Sequence, residues 1–152
     1  MAAVVNTHLH FDHCGQNTTF YELGKTPVYV QVAEAEAASQ PGYTIPEWGS
    51  VPEEQLRLVD GDVSLAPGVR LLATPGHTPG HQSLVIEARD ERVVIGGQCA
   101  WRSDELSAET PWEGNLHDES WREAAHASLV RIASFHPSLV YLSHDPSTFA
   151  AH

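Results

Sequence analysis

The chain has 152 residues, 41% of them hydrophobic and 18% charged, enough for one globular domain over 1–152 with its own core. Eight Lys and Arg against 20 Asp and Glu leave a net charge of −12, which argues against a nucleic-acid partner, because phosphate neutralisation needs a basic surface. No apolar run reaches the roughly 18 residues of a membrane span, the N-terminus lacks the basic and apolar regions of a signal peptide, and Cys14 and Cys99 are too few for a disulfide framework; the expected setting is cytoplasmic, with no membrane partner.

Residues 2–5 read as a short buried strand. It runs into Thr7-His8-Leu9-His10-Phe11-Asp12-His13, where four residues able to bind a metal stand in the order H-x-H-x-D-H. Imidazole and carboxylate are the usual ligands of catalytic zinc. In an extended stretch His8 and His10 point to one side, because side-chain direction repeats every two residues. A turn after His10 then aims Asp12 and His13 at a second point nearby, so one short segment can serve two adjacent metals. Cys14, directly after His13, reads as a packed neighbour of that site.

Residues 17–23 read as a helix, 28–30 as a β-branched and aromatic strand, and 32–39 as a helix rich in Ala and Glu. Residues 41–52, with Pro, Gly, Ser and Trp48, read as an irregular loop. A strand over 55–59 is followed by the turn Asp60-Gly61-Asp62. Strands over 69–73, 83–87 and 93–95 follow, the last two joined by a hairpin at Arg89-Asp90-Glu91. The polar stretch 101–116, which carries Trp112, reads as loop. Asp118 or Ser120 can cap a helix running to about residue 135, and Ser120-x-x-Glu123 fits a capping box. Trp121, Ala124, Ala125, Leu129 and Ile132 lie on one face of that helix. The last strand covers 139–142. Strands alternating with helices indicate an α/β class.

Two of these strands end in histidine-bearing turns, Thr74-Pro75-Gly76-His77-Thr78-Pro79-Gly80-His81 and Ser143-His144-Asp145-Pro146. Loops at strand ends on a rigid sheet are where catalytic groups usually sit. Proline and glycine there make tight turns and let backbone approach a site closely. His77 and His144 are therefore candidate ligands, whereas His81 reads as a supporting residue. Asp145 either orients His144 or caps its turn. Trp48 and Trp112 either line an apolar pocket or pack.

"NTHLHFDHCGQN", "TPGHTPGHQSLVIE" and "YLSHDP" together resemble the metallo-β-lactamase superfamily, and within it the N-acyl homoserine lactonase branch. The resemblance runs from Val4 to Pro146. It implies a four-layer αββα sandwich with two mixed sheets inside. Family members carry several strands ahead of the first metal motif, so the fold expected here lacks the N-terminal strands and has an exposed sheet edge near Val4 and Val5, through which two copies can pair. The resemblance also implies that His8, His10 and His77 hold one metal and Asp12, His13 and His144 a second, one or two zinc ions per chain. They would lower the pKa of a shared water so that hydroxide opens a lactone, a small-molecule substrate, while Asp12 orients the nucleophile and passes a proton to the leaving group.

The chain departs from the family pattern at two positions. An Asp usually bridges both metals after the strand that follows TPGH; here that position is Gln98, whose amide carries no charge. Three residues on, where homoserine lactonases usually place a substrate-contacting Tyr, stands Trp101, with only an indole donor. Two alternatives follow: a thioesterase resembling hydroxyacylglutathione hydrolase, and a metal-binding fragment without activity.

Overall fold

A computed structural model describes residues 3–49 and 51–149. The elements in chain order are β1 (Val4–Val5), α1 (Phe11–Cys14), α2 (Asn17–Gly24), β2 (Val28–Gln31), α3 (Val32–Ala38), α4 (Pro46–Gly49), β3 (Leu56–Val59), β4 (Val63–Ala66), β5 (Val69–Ala73), β6 (Gln82–Ala88), β7 (Glu91–Gly97), α5 (Ser103–Ala108), α6 (Arg122–Ser134), β8 (Leu139–Leu142) and β9 (Thr148–Phe149). Among the described residues no helix is long and apolar enough to cross a membrane.

β1, β2 and β3 form a parallel sheet in that order. Parallel neighbours need crossover connections, which α1 and α2 supply before β2 and α3 and α4 before β3. The second sheet runs β4-β5-β6-β7-β8-β9. Its first four strands form an antiparallel meander, and α6 carries the chain across to β8, parallel to β7. α3 packs on β2 and β3, and α6 covers the second sheet, which gives the helix–sheet–sheet–helix layering.

The main core lies between the second sheet and α6. Leu72, Val85, Val94, Val140 and Leu142 face Leu129 and Ile132, with Cys99, Ala100 and Leu106 closing the end. The opposite face of that sheet is as apolar but less covered. Leu84, Ile86, Val93, Ile95 and Leu139 are only half-buried and Tyr141 is 43% exposed, because three strands face six. Among the described residues β1 is an edge strand, paired with β2 alone. The seam between the sheets is polar: Gln31 Nε2 donates to Gln82 Oε1 (2.9 Å), and Gln82 Nε2 donates to the Asn6 and Tyr29 carbonyls (2.8 and 3.1 Å).

The structure corrects the sequence reading in places. The stretch 101–116 is not all loop; it contains α5, whose first turn is organised by the buried Glu105 carboxylate. That group accepts from the backbone N–H groups of Trp101, Arg102 and Trp112. β4, α4 and β9 are too short to leave a periodic signal. The capping box at Ser120 does not form. Asp118 instead accepts from Ser120 N (2.8 Å) and starts a 3-10 turn over Glu119–Trp121, and α6 begins only at Arg122. Leu129 has no exposed surface, so Leu129→Ala should destabilise the chain by about 2–5 kcal/mol, read as a lower urea midpoint at unchanged slope; a loss below about 1 kcal/mol would show this core to be loosely packed.

Candidate metal centre

β1 ends at Val5, and the next residues are held where they must be for a ligand loop. Asn17 Nδ2 donates to the buried Asn6 Oδ1 (2.9 Å), and Asn6 Nδ2 donates to the His13 carbonyl (3.3 Å). His10 is extended (φ −63°, ψ 149°) and serves as the N-cap of α1, whose single turn carries Asp12 and His13 away from His8 and His10. This is the change of direction that the H-x-H-x-D-H spacing called for.

Two donor groups result, His8 with His10 and His77, and Asp12 with His13 and His144, with the ligating atoms of each group within 4.8 Å of one another. In the first, His77 Nδ1–H donates to the Asn115 carbonyl (2.9 Å), which leaves the Nε2 lone pair facing His10 Nδ1 at 3.2 Å. His8 is fully buried, with Nδ1 3.2 Å from Thr7 Oγ1 and Nε2 without any hydrogen-bond partner. Burial pushes the pKa values of His8, His10 and His77 down, that of His77 to about 4, so the imidazoles are neutral near pH 7 and free to bind a cation. Glu34 and Asp12 act in the opposite sense on His10.

The second group is more open. Asp12 Oδ2 lies 3.4 Å from His13 Nε2 and 3.6 Å from His144 Nε2. Burial lowers the His13 pKa, with Asp12 opposing, so the Asp12–His13 contact is not an ion pair but two ligand atoms facing one point. A cavity of about 540 Å³, lined by Phe11, Asp12, His13, Gly15 and Gln16, opens beside it.

The residues fit a metal. His8 Nε2 and His13 Nε2 are buried nitrogens with no hydrogen-bond partner, a state that costs about 1–3 kcal/mol per group unless something accepts the lone pair. Two neutral imidazole nitrogens at 3.2 Å match the roughly 3.3 Å edge of a tetrahedron of zinc–nitrogen bonds. The set has nitrogen and oxygen donors and no thiolate, which suits a borderline divalent ion.

The sequence model of the metallo-beta-lactamase superfamily matches residues 2–144. The chain belongs to that superfamily. It is 34% identical over 143 residues to an N-acyl homoserine lactonase of a Bacillus species and 33% to that of Bacillus cereus, in both cases over 93% of this chain and 55% of the relative. It therefore spans about half the length of these relatives. A solved N-acyl homoserine lactone hydrolase with the product N-hexanoyl-L-homoserine at its catalytic metal center aligns with a TM-score of 0.80 at 33% identity, over 95% of this chain and 56% of that one. A quorum-quenching N-acyl homoserine lactone hydrolase aligns with a TM-score of 0.79 at 32% identity, over 95% and 57%. Membership of the superfamily implies a divalent metal.

Several residues support the donor groups from around them. His81 is a support: Nδ1 engages Thr74 (2.9 Å to Oγ1, 3.0 Å to the carbonyl) and Nε2 accepts from Gln98 N (3.0 Å), so both ring nitrogens are occupied. Asp145 orders the turn that carries His144, accepting from Ser103 N at the start of α5 and from Ser147; these bonds hold its carboxyl well below the usual range. Cys14 is a packed neighbour whose thiol donates to the Leu9 carbonyl. Gly76 is required by close approach: at φ +146° its missing Cβ would sit 2.6 Å from Ala125 of α6. The Trp48 side chain lies outside the described residues.

The structure adds what the motifs did not show. Gln98 is buried, with its amide against the His13 ring and its carbonyl accepting from Asn115 Nδ2 (2.9 Å). Asn115 thus orients His77 and fixes the backbone at position 98. Trp101 stacks on His144 (centroids 4.4 Å apart, planes 12° apart) and lies 5.8 Å from Trp112. Glu34 and Tyr43, which no motif marked, contact both ligand loops.

The depressed histidines set an acid limit. His77 and His81 titrate at about 4 and about 3 in the folded chain, against 6.5 when exposed. The unfolded chain therefore binds protons that the folded chain refuses, so stability is full above pH 6.5 and is lost as the pH falls from 6.5 through about 3. The urea midpoint of the metal-free chain should follow that window; a midpoint that does not move across it contradicts neutral buried imidazoles. Trp101 should report on its neighbour: cobalt entering the group that contains His144 should quench indole emission, and Trp101→Phe should abolish most of that signal. Quenching that survives in Trp101→Phe would place the responding indole elsewhere.

Proposed function

We propose that the chain is a metal-dependent hydrolase that opens a lactone ring, with an N-acyl homoserine lactone or related ester as substrate. The observation that carries this reading is the pair of donor groups adjoining where the His8 and His13 rings lie 4.1 Å apart, on a chain one-third identical to N-acyl homoserine lactonases. His8, His10 and His77 would hold one divalent ion, preferably zinc, and Asp12, His13 and His144 a second. Ions bound there would polarise the carbonyl and make water acidic enough to attack it near neutral pH. Asp12 is the group with catalytic work of its own. Its carboxylate faces the point shared with His13 and His144, where it orients the attacking water, takes its proton and returns it to the ring oxygen as the C–O bond breaks. Water is thereby added across the ester and the product is the open hydroxy acid.

Gln98 favours a reading in which one ion is held more tightly. The first group keeps three buried or half-buried imidazoles, whereas Asp12 and His144 are exposed. With a neutral amide at position 98, that side chain would not offset the repulsion between two bound cations. The open edge at β1 and the half-covered face around Tyr141 support pairing with a second copy. Two buried free thiols, Cys14 and Cys99, suit a reducing, cytoplasmic setting.

Elemental analysis of the purified chain, combined with titration of acid released from a homoserine lactone, tests the activity; metal-loaded chain that releases no acid would remove the lactonase reading. Asp12→Asn should lower kcat by about 100- to 10,000-fold. Gln98→Asp should raise zinc stoichiometry and rate together, and two equally tight sites in the unmodified chain would refute the role assigned to the missing charge.

A further inference from the structure

Glu34 is the one fully buried residue of α3, with no exposed surface at all. A carboxylate there faces only donors. Oε1 accepts from Leu9 N (2.7 Å) and Tyr43 Oη (2.5 Å); Oε2 accepts from Thr78 Oγ1 (2.6 Å) and Gly80 N (3.2 Å). Leu9 lies between His8 and His10, and Thr78 and Gly80 follow His77. One side chain on the first sheet's helix therefore joins the two loops that supply the three-histidine group. Tyr43 extends the contact, with its ring 4.9 Å from that of His10. Gly80 shows how tightly the parts are set, since a Cβ there would lie 2.1 Å from Glu34 N. Four donors and no acceptor call for an acceptor-only group, and among side chains that is an ionised carboxylate. Burying one is costly unless it is paired or fully hydrogen-bonded, and here hydrogen bonds stand in for a counter-ion.

We propose that Glu34 is the positioning residue of the three-histidine group: it fixes the spacing between the His10 and His77 loops and lends a set of neutral imidazoles the negative charge they lack. This rests on the metal-binding reading above, but its geometric half can be read without metal. Glu34→Gln nearly keeps the shape; with the new nitrogen at the Oε2 position the Thr78 hydroxyl can turn to accept from it, Leu9 N and Tyr43 Oη still donate to the remaining oxygen, and the charge and the bond from Gly80 are lost. In the metal-free chain, imidazole nitrogen NMR should show His10 and His77 leaving a single ring state while His13 and His144 keep theirs. Affinity for cobalt at the three-histidine group should fall about 10- to 100-fold, as for other residues that support metal ligands, with the Asp12 group unchanged. Tyr43→Phe removes one hydrogen bond and keeps the charge, so it should change that affinity much less. Unaltered His10 and His77 signals in Glu34→Gln, or equal loss of affinity in Tyr43→Phe, overturns the proposal. Should Glu34→Gln not fold, Glu34→Asp takes its place, with its shorter reach expected to disturb the same two rings; a global change in all histidines would show Glu34 to be a folding residue only. If the unmodified chain binds neither cobalt nor zinc, the proposed function fails, and the metal-free spectra still decide the role of Glu34.

Discussion

Four hydrogen bonds to the carboxylate of Glu34 hold the two halves of the site at a fixed spacing. His8 and His10 arrive on a loop after β1 of the first sheet, and His77 arrives on a loop after β5 of the second. Nothing local ties these segments together. A layered fold can let its sheets slide by fractions of an ångström at little cost where the seam is apolar, because dispersion contacts are not directional. Hydrogen bonds are directional, and the seam near the site uses them throughout: Glu34 to both loops, Gln82 to Asn6 and Tyr29, and Gln31 to Gln82.

The same burial that makes these bonds strong also keeps the imidazoles neutral. Desolvation is the largest cause acting on His8, His10, His13, His77 and His81. Clustered histidines would repel one another if protonated, so neighbouring rings lower each other further. The outward nitrogen of His77 is then pinned by the Asn115 carbonyl, and the inward Nε2 atoms of His8 and His13 are left without a hydrogen-bond partner. A polar atom without a partner inside a protein is normally a fault. Here two such atoms, on His8 and His13, point into the donor groups, and the fault becomes an affinity for a cation.

The two groups differ in how the fold protects them. The first is enclosed by Glu34, Asn115 and the Gly76 turn against α6. The second depends on a loop at the end of β8, where His144 is exposed and steadied by the face of Trp101 and by the Asp145 turn. Glu105 holds the backbone of Trp101 from beneath, so the stack is itself anchored in the core of α5. Gln98, whose neutral amide lies against the His13 ring, adds no charge to the second group.

H-x-H-x-D-H, the two later histidine turns, most of the strands and the family were legible in the sequence, because each rests on spacing within a few residues. Alternation along a strand and the reach of one loop are local properties, and Val69–Ala73 or Leu139–Leu142 could be read with nothing else known. Glu34 was not legible. In V-A-E-A-E-A-A it differs from Glu36 only in which way the helix turns it, and that is decided by donors far along the chain, at Thr78 and Gly80. Asn115, the Trp101–His144 stack and α5 were hidden for the same reason: their partners are distant residues, and α5 is a six-residue helix that Glu105 organises by accepting backbone bonds rather than by an apolar stripe. The sequence by itself determined which side chains could bind a metal; only the tertiary structure decided how they are spaced, which nitrogens are pinned and which are left free, because those depend on contacts between segments that the chain order keeps apart.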